Sequence, residues 1–248
     1  MGKIVAIGGG ENGHGKTQYE TAVIDKEIIR LTGKSNPNFL FIGLANPCAD
    51  RYYEVMKNIY GDMYDCNTDY LTNEEHRNFP IAKSKIQWAD IIYVGGGNTL
   101  KLMTGWRKYG IDKLLTEAYR ADKVLCGVSA GGICWCDYGN SDSRRFTSHS
   151  DKLIRVKGLG LINILFCPHI NTEPNRADDL KRMMKTTHKI PAIAVDMGAL
   201  EIVDNQYRIL TIDSSTTANK CYWKNGRYFC ESIIDDKFKP IEVLYRKE

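Results

Sequence analysis

Apolar residues in this chain gather in short blocks separated by longer mixed stretches. Six blocks stand out, at 4–7, 39–44, 91–94, 124–128, 162–167 and 192–195, each about as long as one strand. They are apolar at odd and even positions alike, so both faces are covered, as in a strand inside a parallel sheet. Between them the period changes. Ile24, Ile28 and Leu31 fall at helical spacing, with Gly33 where a helix end favours a left-handed residue. Tyr52, Val55, Met56 and Ile59 form a second stripe, Leu100, Met103 and Trp106 a third, and Ile111, Leu114, Leu115 and Ala118 a fourth. Strands alternating with helices predict an α/β fold, a doubly wound and mainly parallel sheet with helices on both faces.

The last third has another rhythm. Short β-prone runs at 199–203, 207–210, 221–224 and 227–229 are broken by the pairs Asp204-Asn205 and Asn225-Gly226. Asn-Gly between such runs is a strong hairpin signal. It predicts antiparallel C-terminal strands attached at an edge of the same sheet. No Pro/Ser-rich linker and no internal repeat divides the chain, so 1–248 is expected to form a single domain.

Composition narrows the function classes. The chain has 248 residues, 43% hydrophobic and 26% charged, which is ordinary for a globular protein. Its net charge of +4 comes from 34 basic and 30 acidic residues spread along the chain, with no basic stripe for nucleic acid. No apolar run approaches the roughly 20 residues needed to cross a membrane. The first residues run straight into a strand-like block, unlike a secretory leader, so a cytoplasmic location is expected. The eight cysteines are then expected to be reduced thiols. Cys134 and Cys136 are too close in sequence for a structural zinc pair, and no metal is expected.

The sharpest chemical signal is Gly127-Val128-Ser129-Ala130-Gly131-Gly132, after the apolar run Val124-Leu125-Cys126 and before the helix-compatible Ile133-Cys134-Trp135. It matches a nucleophile elbow, a tight strand-to-helix turn that presents a serine hydroxyl. Backbone amides at the helix start suit an oxyanion. A second glycine turn, Val94-Gly95-Gly96-Gly97-Asn98-Thr99, follows another buried strand. The Gly96 amide is the candidate oxyanion donor there, with the Ala130 amide as its partner. Asn98 is a candidate substrate contact or a helix N-cap. Of five histidines, His14 and His169 follow strands. His169, in Phe166-Cys167-Pro168-His169, is the candidate general base, because open α/β sheets bind ligands at the carboxyl ends of strands. Its orienting acid is open between Asp142 and Glu173.

A rival pattern lies near the N-terminus. Gly10-Glu11-Asn12-Gly13-His14-Gly15-Lys16-Thr17 fits a phosphate-binding loop, with Lys16 on phosphates, Thr17 on magnesium, and Asp196 after an apolar strand as a second magnesium ligand. The helical stripe starts only near Ala22, however, and a nucleotide reading leaves the elbow and His169 unused. A non-catalytic binding protein on the same fold is the other alternative.

Taken together, residues 4–11, 93–100, 127–135 and Pro168-His169 resemble the peptidase E family, serine aspartyl dipeptidases related to cyanophycinase, over nearly the whole chain. The resemblance implies a class I glutamine-amidotransferase-like fold, Ser129 as nucleophile, His169 as base and an acid lying between them, which favours Asp142. It also implies hydrolysis of dipeptides with N-terminal aspartate, with no cofactor. The expected partner is a small peptide, not nucleic acid or a membrane, and self-association as a homodimer stays open. Aspartate selectivity needs a cation near the substrate side chain, and Arg176 is the candidate.

Overall fold

The computed structural model describes residues 2–13, 17–187 and 189–247. Among them the strands are β1 (Lys3–Gly9), β2 (Asn38–Ile42), β3 (Asn67–Leu71), β4 (Ile91–Val94), β5 (Val124–Val128), β6 (Cys136–Ser141), β7 (Ile154–Lys157), β8 (Ile162–Pro168), β9 (Ala192–Asp196), β10 (Gly198–Val203), β11 (Gln206–Thr211), β12 (Thr217–Lys224), β13 (Arg227–Ser232) and β14 (Lys239–Pro240). The α-helices are α1 (Ala22–Arg30), α2 (Ala49–Lys57), α3 (Phe79–Trp88), α4 (Thr99–Tyr109), α5 (Ile111–Arg120), α6 (Ala130–Ile133), α7 (Arg144–Ser148), α8 (Arg176–Thr186) and α9 (Glu242–Tyr245).

All six apolar blocks become strands, but they are shared between two sheets. The first has the order β14-β11-β10-β1-β5-β4-β2-β3 and the second β13-β12-β9-β8-β6-β7. Strands β1, β5, β4, β2 and β3 run parallel, as do β6, β8 and β9. The expectation of one sheet with a single antiparallel edge is therefore corrected. Strands β10 and β11 extend the first sheet and β12 and β13 the second, all in antiparallel pairing. The chain leaves β9 for β10 through Met197, whose φ of 48° turns it out of one sheet and into the other. The sheets touch where Gly8 lies against the Val195 carbonyl, a contact that leaves no room for a side chain.

Along each central strand, alternate residues serve opposite faces. Ile4, Ala6, Leu40, Ile42, Ile92, Val94 and Leu125 meet Leu102, Met103, Trp106, Leu114 and Leu115 of α4 and α5. Val5, Ile7, Phe39, Phe41, Tyr93 and Cys126 meet Ile24, Ile28 and Met56 of α1 and α2. Helix α8 was not foreseen. It has few apolar residues, but Leu180 and Met184 lie one turn apart and pack on Leu165, Cys167, Ala192 and Ala194. Both hairpin pairs take positive φ at both positions, 48° and 62° at Asp204-Asn205 and 50° and 75° at Asn225-Gly226. This is the turn whose twist matches that of the strands. The second turn sets the register that places Cys221 opposite Cys230, and a disulfide joins them. The reading of every cysteine as a free thiol is corrected for this pair. No helix among the described residues is long and apolar enough to cross a membrane.

Close packing of α6 against β4 gives a direct test. A β-carbon at Gly131 would collide with the Val94 carbonyl oxygen, a backbone atom that cannot rotate away. Gly131→Ala is expected to lose about 1–3 kcal/mol or more, read as a lower urea midpoint at unchanged slope. A wild-type midpoint would contradict this packing.

Candidate active site

Ser129 owes its conformation to the strand before it and the helix after it. Strand β5 is buried, and at its end Gly127 takes φ of 154° with its α-carbon against the Val94 carbonyl. Ser129 then adopts φ 56° and ψ −109°, a region that non-glycine residues avoid. It is pinned there on both sides. Its amide donates to the Ile7 carbonyl at 3.0 Å, and its own carbonyl accepts from the amides of Gly132 and Ile133 at 3.0 and 2.9 Å.

The Gly95–Gly97 turn passes over this serine. The Gly95 amide donates to the Ile42 carbonyl at 3.0 Å and the Asn98 amide to the Ala45 carbonyl at 2.9 Å, which fixes the turn at both ends. A β-carbon at Gly96 would stand 3.5 Å from the Ser129 β-carbon. Ala130, fully buried, opens α6 on the other side of the serine. Ala130 thus follows Ser129 in the chain, and Gly96 lies beside it in space. The Gly96 amide faces the hydroxyl of Tyr52, whose ionisation burial pushes up. Asn98 is 4% exposed and its side-chain oxygen accepts from the Lys101 amide at 2.9 Å, so it caps α4.

His169 follows β8, between two parallel neighbours. On one side Gly139 pairs with Phe166, a register that carried on brings Asp142 level with His169. On the other Val195 pairs with Pro168, which brings Asp196 level with it. In sequence, Asp142 stands in the polar stretch Gly139-Asn140-Ser141-Asp142-Ser143. Residues 136–141 instead form β6, which delivers Asp142 directly. His169 has φ of 105°, its amide donates to the Val195 carbonyl at 3.4 Å, and its carbonyl accepts from the Glu173 amide at 3.3 Å. Burial, and then the Arg176 charge, hold its imidazole below the usual value near 6.5; Glu173, Asp196 and Asp142 pull the other way.

The charged groups around it are tied together. A Glu173 carboxylate oxygen accepts from Arg176 Nη2 at 2.6 Å and Nε at 3.1 Å, and lies 3.6 Å from Arg145 Nη2. Arg176 is 1% exposed and also donates from Nη1 to the Asn140 carbonyl at 3.1 Å. Its guanidinium is engaged by protein groups on both arms. Arg145 is far more open and stands 3.8 Å from Asp142 and 3.3 Å from Asp151.

Glu11, Asn12, Tyr52, Tyr93, Val128 and His169 line a cavity of about 290 Å³, so the neighbour of Ser129 and the candidate base share one space. Beneath it Asp25, 1% exposed, accepts from the hydroxyls of Tyr60 at 2.6 Å, Thr21 at 2.8 Å and Tyr19 at 2.9 Å, and burial raises its carboxyl. A wider groove of about 1050 Å³ runs past Arg145, Glu173, Asp178 and Arg182. Tyr52, Asp25 and Arg145 escaped the sequence reading. Tyr52 sits in a helical stripe that reads as core, and the other two carry no local motif.

Of the phosphate-loop pattern, His14, Gly15 and Lys16 lie outside the described residues. The flanking segment closes on itself, with Asn12 bridged to Tyr19 and the Glu20 amide donating to the Glu11 carbonyl at 2.8 Å. Helix α1 starts only at Ala22, not at Lys16-Thr17 as a phosphate loop requires. Among the described residues, no group of three or more His, Cys, Asp and Glu side chains is arranged to hold a metal ion.

Comparison with known proteins finds peptidases. The chain is 28% identical over 218 residues to the peptidase YgaJ of Bacillus subtilis (strain 168), covering 88% of this chain and 90% of that protein. It is 30% identical over 125 residues to the Listeria innocua peptidase Lin0382, covering 50% and 56%. Among solved structures, a peptidase from an acI-B1 Actinobacterium superposes with a TM-score of 0.71 at 18% identity, over 96% of both chains. A putative peptidase E protein from Listeria monocytogenes EGD-e superposes with a TM-score of 0.60 at 17% identity, over 86% of this chain and all of that one. The family profile of peptidase family S51 matches residues 4–210, and the chain belongs to that family.

Proposed function

We propose that this protein is a serine-type dipeptidase on a class I glutamine-amidotransferase-like fold, cutting short peptides with N-terminal aspartate. One observation carries the reading: Ser129 is held in a strained elbow against Gly96, and its chain neighbour Val128 lines one cavity with His169. In the reaction His169 takes the Ser129 proton and the serine oxygen attacks the peptide carbonyl. The Gly96 and Ala130 amides receive the oxyanion. The tetrahedral intermediate collapses as His169 protonates the leaving amine, and water, activated by the same imidazole, releases the acyl group. Asp142 orients His169, with Glu173 as the rival. Support for Asp142 comes from its place at the end of the neighbouring strand and from its looser pairing, 3.8 Å from Arg145, against the 2.6 Å contact of Glu173 with Arg176. A thiol nucleophile is disfavoured, because burial raises Cys126 and Cys134 well above the usual thiol value.

Aspartate selectivity is the finer part of the reading. Arg176 is 1% exposed and is bound to Glu173 and to the Asn140 carbonyl, whereas Arg145 is open to the groove and is the better placed cation for a substrate carboxylate.

Hydrolysis of Asp-, Glu-, Asn- and Leu-initiated dipeptides, with chelator and without nucleotide, tests the whole. Asp-X is expected to be cleaved, and Ser129→Ala and His169→Ala each to lose about 10³-fold or more in kcat. Cleavage indifferent to Ser129 would end the serine-peptidase reading; equal rates on all four peptides would end the selectivity. Asp142→Asn is expected to cost more in kcat than Glu173→Gln, and the reverse order would transfer the orienting role.

The base must be neutral to act, and burial favours its neutral form. The kcat/KM profile should therefore rise with pH through a midpoint below about 6.5, the ordinary imidazole value. A midpoint above that value would mean that the neighbouring carboxylates outweigh burial.

A further inference from the structure

Beneath helix α1 the first sheet carries a carboxyl group where its neighbours are apolar. Glu201 of β10 stands opposite Val5 of β1 and Arg208 of β11, on the face that Ile24 and Ile28 of α1 cover, and it is fully buried. Its Oε2 accepts from Arg208 Nε at 2.6 Å. Arg208 Nη2 donates to Glu27 Oε1 of α1 at 2.7 Å, so one guanidinium serves both carboxyl groups. Glu27 is held further by Arg30, which donates from Nε at 2.7 Å and from Nη2 at 2.5 Å. Glu201 Oε1 has no such support. It is buried, and among the described residues no donor reaches it. The group within hydrogen-bonding reach of this side chain is the Glu27 carboxyl itself. Two ionised carboxylates offer each other only acceptors, whereas a carboxylic acid donates to a carboxylate. A buried oxygen without a partner is costly. A proton on Glu201 removes that cost, with Glu27 as its acceptor.

We propose that Glu201 and Glu27 share one proton and form a pH-sensitive latch between β10 and α1, closed while the proton is held and opposed by like charges once it is lost. The latch is independent of the serine-peptidase reading. It bears on the cavity all the same, because α1 also carries Asp25, which accepts from Thr21 in the cavity wall. The charged groups facing Glu201 are Glu27 and Arg30 from α1 and Arg208 from β11, while β1 presents Val5. Burial, with the Glu27 charge, pushes the Glu201 carboxyl from the usual 4.5 up to about 7, against the pull of Arg208. Glu27, in spite of its own burial, is held below 4.5 by Arg30 and Arg208. Folded Glu201 thus keeps a proton that the unfolded chain gives up above 4.5. The stability it contributes is complete below pH 4.5 and is lost as pH rises to about 7. The Glu27 contribution changes only below that window.

Urea unfolding of the wild type and of Glu201→Gln across this pH range tests the latch. Glutamine keeps the shape and the donor of the protonated acid but does not ionise. The folding constant of the wild type relative to the variant is expected to fall on the order of 100-fold from about pH 5 to about pH 8. Histidine titrations are common to both proteins and cancel. In carbon NMR of glutamate-labelled protein, one side-chain carboxyl should titrate at about 7 and be absent from Glu201→Gln. Glu27→Gln removes the facing charge, so the Glu201 midpoint should then fall. Amide exchange of α1 at about pH 8 should be about tenfold or more slower in Glu201→Gln than in the wild type. A relative folding constant that is flat with pH, or no carboxyl titrating above about 5.5, overturns the shared proton. A Glu201 midpoint unchanged in Glu27→Gln overturns the pair, because burial alone would then hold the proton. Equal protection of α1 in both proteins overturns the latch. If Glu201→Gln does not fold, the carboxyl titrations of the wild type and Glu27→Gln still decide.

Discussion

The site depends on the carboxyl end of β1, which touches both halves of the proposed machinery and bears no side chain where it does so. The Ile7 carbonyl holds the Ser129 amide at 3.0 Å. Gly8 then lies on the Val195 carbonyl, and Gly9 lies between Asp196 and His169. The strand is buried from Ile4 to Gly9, hydrogen-bonded to β5 on one side and β10 on the other. A side chain at either glycine would push the second sheet away from the first, and with it the histidine from the serine. The run of glycines after an apolar strand therefore works here as a spacer of fixed thickness between two sheets. Phosphate binding would need a helix opening at its far end, and among the described residues the next helix, α1, opens only at Ala22.

Rigidity at that junction lets the chain keep two unfavourable backbone conformations. Ser129 at φ 56° and His169 at φ 105° each cost about 1–3 kcal/mol relative to relaxed backbone. Both are over-determined. Ser129 is tied to β1 and to its own helix, His169 to β9 and to the Glu173 amide. The surrounding strands bury nearly all of their side chains, so relief by local movement would open the core. Strain placed on the two residues with the proposed chemistry, and on few buried neighbours, is what a preorganised site requires.

Much of this was legible in the sequence, for identifiable reasons. Strands buried on both faces leave continuous apolar runs, and all six were readable; so were the helices α1, α2, α4 and α5, whose stripes are three or four residues wide. Positive-φ turns leave Asn and Gly, and both hairpins announced themselves. Features without a local signature stayed hidden. Helix α8 presents a thin face, Leu180 and Met184, to a second sheet that nothing in the pattern foretold. Strand β6, Cys-Asp-Tyr-Gly-Asn-Ser, reads as a loop because its polar residues are satisfied by partners distant in sequence; Ser141 bonds Thr99 at 3.0 Å, and Arg176 bonds the Asn140 carbonyl. The Cys221–Cys230 bond could have been read by counting outward from the Asn225-Gly226 turn, where the two fall directly opposite.

The same logic bears on charge. Motif reading supplies one nucleophile and one base and leaves the acid open between Asp142 and Glu173, whereas the strand registers bring Asp142 and Asp196 level with His169 on either side and the Glu173 charge acts on it as well. Burial and Arg176 keep the imidazole neutral before the reaction, which a base needs. In the proposed reaction the carboxylates act chiefly on the charged form, which would exist only after the serine proton has moved. Their attraction is therefore largest in the transition state, where it lowers the barrier, and smallest in the resting site, where it would only raise the proton affinity. Arg176, bound to Glu173 at 2.6 Å, limits that second effect by cancelling much of one carboxylate's charge. On this view the buried arginine earns its place by holding the balance between a neutral base and a stabilised imidazolium, a role that needs no contact with substrate.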